Sequence, residues 1–188
     1  MSKKYKLSFN SPVILTFVFI CFAALIAGYI TGGFTTTALF SIYRSSFRSP
    51  FTYIRFIGHV FGHAGFSHFI NNMMMILVVG PLLEERYGSK RIIEIIIITA
   101  IITGVVHFLF FPRYALLGAS GVVFAFIILS SITDIREGEI PITLILVAAL
   151  YLGQQIYDGL FVADNVSNLT HIIGGIIGGI IGMNSKQK

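Results

Sequence analysis

Charge is what this sequence has least of. Only 11% of its 188 residues are Asp, Glu, Lys or Arg, against about 25% in an ordinary soluble domain, and the mean hydropathy is +0.87. That scarcity excludes a water-soluble globular domain and puts the chain in a bilayer. Cysteine is limited to Cys21, which excludes an intrachain disulfide and a multi-cysteine metal site; alone in an apolar run, it reads as a packing residue. The net charge is +5, yet the basic residues are dispersed rather than gathered as nucleic acid would require, and they read as topology signals. Soluble linkers, low-complexity tracts and internal repeats are absent too, so residues 1–188 are expected to form a single integral-membrane domain.

What is present is a series of apolar runs. A spanning helix needs roughly 20 apolar residues, and six fit: 12–31, 66–83, 92–111, 118–133, 140–157 and 169–183, the fourth and sixth being short. The first, "PVILTFVFICFAALIAGYIT", is too long for a signal peptide and has no A-x-A cleavage site, so it is expected to stay as an anchor. Residues 34–58, rich in Tyr and Phe, suit a long interfacial first loop. The second span is expected to stop at Glu84-Glu85-Arg86. Six spans put both termini on one side, together with Lys3, Lys4, Lys6, Arg86, Lys90, Arg91, Arg136, Lys186 and Lys188. The remaining four basic residues, Arg44, Arg48, Arg55 and Arg113, fall on the other side, so the positive-inside rule makes both termini cytoplasmic.

Depth then singles out a few polar residues. At a helical rise of about 1.5 Å, Ser120 in "LLGASGVVFA", His171 and Asn72 each lie about 18–20 Å from the cytoplasmic end of their spans, with His68 one turn further out. Polar groups in lipid are costly and turn inward toward partners, so four of them at one level from three helices predict a site. His171 is followed by Gly174, Gly175, Gly178 and Gly179, a glycine face that allows close helix approach; span four offers Gly121 and Ala125 in return. Such an approach brings the Ser120 hydroxyl within reach of the imidazole, as an activated nucleophile requires. Ser120 also starts its helix, where open N–H groups and the dipole favour an oxyanion. His68 and Asn72, four apart on one face, supply two more donors.

Each residue has a plainer reading by itself. Ser120 and the glycines can be helix-packing residues; His171 can be a satisfied interior histidine or part of a proton relay; His68 and Asn72 can cap each other. His59 and His63 have zinc-compatible spacing with His68 following, but no carboxylate or cysteine accompanies them, and Gly62 and Gly65 argue against a continuous helix there. His107 reads as structural. "GASGV" is not the G-x-S-x-G elbow of soluble hydrolases, because its second glycine directly follows the serine and no strand precedes it. A channel or transporter would call for carboxylates near the midplane, and Glu94 is a poor candidate.

In order and spacing these motifs resemble the rhomboid family of intramembrane serine proteases, over about residues 48–183. "GASG" at 118–121 is similar to the family's G-x-S-G, "HFINN" at 68–72 to its H-x-x-x-N, "HIIGGIIG" at 171–178 to its H-x-x-G-x-x-x-G, and "EER" at 84–86 to a structural E-x-R. Arg55 falls where the first loop usually carries Trp-Arg, with Ile54 in place of the tryptophan. Thr170 stands where alanine is usual, and Phe124 where a tyrosine packs on the histidine. The resemblance implies an all-α, six-helix rhomboid-like bundle and an endopeptidase cutting transmembrane protein substrates. It implies Ser120 as nucleophile, His171 as base, and His68 and Asn72 as oxyanion donors, with Gly118, Gly121 and Phe124 shaping the site. It implies neither an acidic third member nor a metal or organic cofactor. The expected setting is a bacterial-type plasma membrane, with the site opening outward. A non-catalytic membrane-protein binder on the same fold is the competing reading; no nucleic-acid partner is expected.

Overall fold

The computed structural model describes residues 9–132 and 168–184, with isolated positions between 142 and 153. Its elements are α1 (Pro12–Ile30), α2 (Phe34–Leu39), α3 (Pro50–Gly58) followed by a 3-10 turn (His59–Phe61), α4 (Phe66–Tyr87), α5 (Ser89–Phe110), α6 (Ser120–Ile132) and α7 (Asn168–Asn184). Among the described residues the only β-type pairing is an isolated antiparallel bridge between Ile42 and Leu116. Three helices, α1, α4 and α5, are long and apolar enough to cross a membrane, and α6 is a shorter apolar helix. The chain is a multi-pass membrane protein whose described residues form helices and no strand; of the run expected over 140–157 only isolated positions are described.

Helix ends follow local chemistry. Pro12 occupies the first turn of α1, where its missing N–H costs nothing. Two of the N–H groups that this turn leaves open are met from α4: Val13 and Ile14 donate to Oε1 and Oε2 of Glu84, each at 3.0 Å. The Ser89 hydroxyl donates to the same carboxylate at 2.6 Å. Three bonds stabilise a charge that is 4% exposed, as a buried carboxylate requires. The helix itself runs one residue past the Glu84-Glu85-Arg86 at which the second span is expected to stop, ending at Tyr87 with Gly88 as its cap, whose φ of 83° belongs to the left-handed region.

The break expected at Gly62 and Gly65 is present, separating the 3-10 turn from α4. The segment between α1 and α4 holds α2 and α3 and is pinned by Arg55. That side chain is buried, donating to the Ala38 carbonyl at 3.1 Å and the Ser45 hydroxyl at 3.3 Å, with its guanidinium 4.3 Å from the Tyr43 ring centroid. Behind this loop the core is hydrocarbon: Ile14, Ile76, Ile92, Ile95, Val122, Phe126 and Leu129 are almost fully buried. α5 buries more of itself than α1 or α4 does, so it serves as the element on which the loop and α6 rest.

Candidate active site

The chain enters α6 through a loop fixed on its inner side by three backbone bonds. Leu116 and Ile42 exchange N–H···O bonds at 2.9 Å, and the Gly118 N–H donates to the His59 carbonyl at 2.9 Å. Gly118 has a φ of 129°, which L side chains rarely adopt. A Cβ there would also stand 2.8 Å from His68 Nε2 and 3.8 Å from Asn72 Nδ2. Conformation and space both demand glycine, and the same contacts bring the two α4 side chains against the backbone leading to Ser120. Ser120 is the first residue of α6, so the opening N–H groups of that helix lie at its own position.

The other half comes from α7. His171, in its first turn, has Nε2 2.8 Å from Ser120 Oγ across 51 residues of sequence. Phe124, one turn past Ser120, stacks face to face on the imidazole, centroids 4.5 Å apart and planes 8° from parallel. The ring expected to replace a tyrosine therefore does its packing. The helices come this close because of small residues. A Cβ on Gly174 would collide with the Gly121 carbonyl, and one on Gly178 with the Ala125 carbonyl. Both the glycine face of α7 and its Gly121/Ala125 counterpart on α6 are thus in contact.

On the α4 side, Asn72 is buried, and its Nδ2 has no hydrogen-bond partner among the described residues. An unpaired buried donor is costly unless something arrives to accept from it. The Ala64 N–H points to His68 Nδ1 at 3.5 Å; with that nitrogen accepting, Nε2 carries the proton and faces Gly118. His63 supports this arrangement from behind. Its ring meets that of His68 edge-on at 5.1 Å, and its Nδ1 donates to the Phe61 carbonyl at 3.2 Å. Burial first, and then repulsion from a charged His68, lower the His63 pKa to about 4. His63 is therefore neutral near pH 7.

Sequence reasoning missed the parts played by His59 and His63. His59 was weighed only as a zinc ligand, whereas both its nitrogens are engaged, Nδ1 with the Arg55 carbonyl at 3.1 Å and Nε2 with Thr103 Oγ1 at 3.3 Å. Burial is the main force lowering its pKa to about 4. It is the tie between the first loop, α5 and the segment before Ser120. No sequence signal marks such a role, because two of its partners are main-chain groups, the Arg55 carbonyl and the Gly118 N–H, and the third, Thr103, is 44 residues away. Among the described residues no three His, Cys, Asp or Glu side chains gather as metal ligands. His107 has the structural place expected of it: Nε2 donates to the Tyr114 carbonyl at 3.1 Å and the ring stacks on Phe111.

Comparison with known proteins gives a family match described as the Rhomboid domain over residues 50–186. Rhomboid-related protein 2 of Mus musculus is 32% identical over 155 residues, 71% of this chain and 51% of that protein. Rhomboid-related protein 1 of Caenorhabditis elegans is 30% identical over 133 residues, 66% of this chain and 37% of the relative. Rhomboid protease GlpG of Yersinia pestis is 28% identical over 172 residues, 89% of this chain and 60% of GlpG. The chain thus spans between 37% and 60% of the length of these curated relatives.

Proposed function

The chain belongs to the rhomboid family, and from that premise we propose that it is an intramembrane serine endopeptidase that hydrolyses a peptide bond in or near the membrane-spanning segment of its substrates. The observation that carries this reading is the 2.8 Å hydrogen bond between Ser120 Oγ and His171 Nε2. An interior histidine satisfied by any neighbour would not need the one hydroxyl that stands at a helix N-terminus beside two further donors.

In the proposed mechanism His171 Nε2 accepts the Ser120 proton as Oγ attacks the substrate carbonyl. The tetrahedral oxyanion is held by the Ser120 backbone N–H, His68 Nε2–H and Asn72 Nδ2–H, a reading supported by the closeness of both α4 side chains to Gly118 and by the strength of such donors in acyl transfer. Collapse of the intermediate breaks the C–N bond, and His171 gives its proton to the departing amine. Water then attacks the acyl-enzyme by the same route, with His171 again taking and returning the proton. A substrate helix keeps its backbone bonded within itself in lipid, so the reading favours substrates whose helix unwinds locally. The site opens to the outer face of a plasma membrane, with both termini cytoplasmic and six spans in all.

The test is cleavage of a labelled single-span reporter by the purified chain in liposomes, alongside Ser120→Ala and His171→Ala. We expect cleavage by wild type only, with both variants retaining the wild-type melting temperature. A serine-directed fluorophosphonate should label wild type and not Ser120→Ala. Cleavage persisting in Ser120→Ala would overturn the mechanism. A wild type that neither cleaves nor reacts with the probe would leave a membrane-protein binder on this fold.

A further inference from the structure

A groove of about 430 Å³ runs between α1 and α5, without Ser120 or any other candidate site residue in its lining. Thr16 and Ile20 form one wall, Ile93 and Ile97 the other, and Ile57 with Phe61 the roof. Apart from the Thr16 hydroxyl, every lining side chain is hydrocarbon, so water entering would lack the two to four polar partners it needs. The groove opens sideways, since Ile20, Ile57, Ile93 and Ile97 are all exposed. Its sides are helices long and apolar enough to cross a membrane. Hydrocarbon chains are therefore what it meets.

Charge at one end narrows the occupant. Lys90, Ile93 and Ile97 are spaced i, i+3 and i+7 on α5, so one face of the helix carries the ammonium just beyond the groove's end. Lys90 is exposed, and no ion pair is made by it among the described residues. The neighbouring Arg91 is engaged with Glu94 at 2.8 Å, leaving Lys90 as the uncompensated charge. A lysine stem can lie along apolar surface with its head in the polar layer, where it attracts an anionic phosphate.

We infer that the groove between α1 and α5 is a binding site for one anionic phospholipid, its acyl chain lying under Ile57 and Phe61 and its phosphate on Lys90. The roof matters beyond affinity. Ile57 and Phe61 flank His59, whose carbonyl holds Gly118 and whose ring holds Thr103. Phe61 already rests on Phe17, ring centroids 5.1 Å apart, whereas Ile57 is exposed, so a filled groove adds contacts to that loop on the Ile57 side. The inference uses no catalytic assumption, so it stands or falls independently of the protease reading.

The experiment is native mass spectrometry of the purified full chain, stripped in detergent and titrated with dioleoyl phosphatidylglycerol or dioleoyl phosphatidylcholine. We expect one phosphatidylglycerol per chain, bound about fivefold more tightly than phosphatidylcholine, the preference expected from one surface lysine. Ile93→Trp, which fills the groove, should lose the adduct. The smaller change Ile97→Phe should weaken it as well, and it serves if the tryptophan variant does not fold. Lys90→Gln should still bind lipid but discriminate headgroups no longer. Equal binding of the two lipids by wild type, or undiminished adducts in both groove variants, would overturn the inference. So would a lipid-free dimer dissociated by Ile93→Trp, since that result would assign the groove to a second copy of the chain.

Discussion

Among single side chains, Asn72 separates structure from chemistry most cleanly. Its Nδ2 is buried with no partner among the described residues, so removing it breaks no hydrogen bond recorded there. Asn72→Ala should leave the melting temperature near that of wild type while lowering kcat by roughly 10²–10³-fold, the usual cost of one oxyanion donor. KM should change little, because the donor acts on charge that develops after binding; steady-state kinetics on the reporter checks this. A large fall in stability with an unchanged kcat would instead make Asn72 a packing residue. That Ser120 and His171 meet, with His68 and Asn72 against Gly118, was legible in the sequence because helical periodicity converts spacing into depth and face. Glu84 was legible as a boundary and not as a cap: its partners are the N–H groups of Val13 and Ile14, about 70 positions away. Backbone donors leave no mark in a residue string.

Between elements, the contact of α6 with α7 governs whether Ser120 and His171 meet. Gly174 and Gly178 press on backbone of the facing helix with no room for a Cβ. Gly178→Leu must push α7 outward, and overpacking of this kind costs about 1–3 kcal/mol. Since Gly178 lies two turns from His171, the displacement should also lengthen the Ser120–His171 bond. The expected outcome is a lower melting temperature together with slower fluorophosphonate labelling of Ser120. Gly175→Ala is the control, because a Cβ there meets only Ile128 at an ordinary 3.5 Å. The sequence foresaw this face from its glycine spacing, and it foresaw α1, α4 and α5 from their apolar length. It could not foresee how the first loop is held. The bridge between Ile42 and Leu116 and the Arg55 bond to Ala38 both end on main-chain atoms, and neither bond depends on a recognisable residue pattern.

For the molecule as a whole, acid should loosen the fold through histidines outside the spanning helices. Burial lowers the pKa of both His59 and His63 from 6.5 to about 4. Between those values the unfolded chain binds more protons than the folded one, so stability increases with pH across that window. It is fully present above about pH 6.5 and is lost progressively as pH falls toward 4. Melting curves in detergent at pH 7.5, 6.0, 5.0 and 4.5 should show a falling midpoint, and His59→Gln should flatten the slope. A midpoint independent of pH would mean that neither imidazole is buried neutral. The 51 residues separating Ser120 from His171 also bear on how the protein is made. At 5–20 residues per second, synthesis takes roughly 3–10 s to travel from the serine to the histidine. Throughout that interval Ser120 has been made and its hydrogen-bond partner His171 has not. On the protease reading, attack by Ser120 would wait until α7 docks and brings His171 to it.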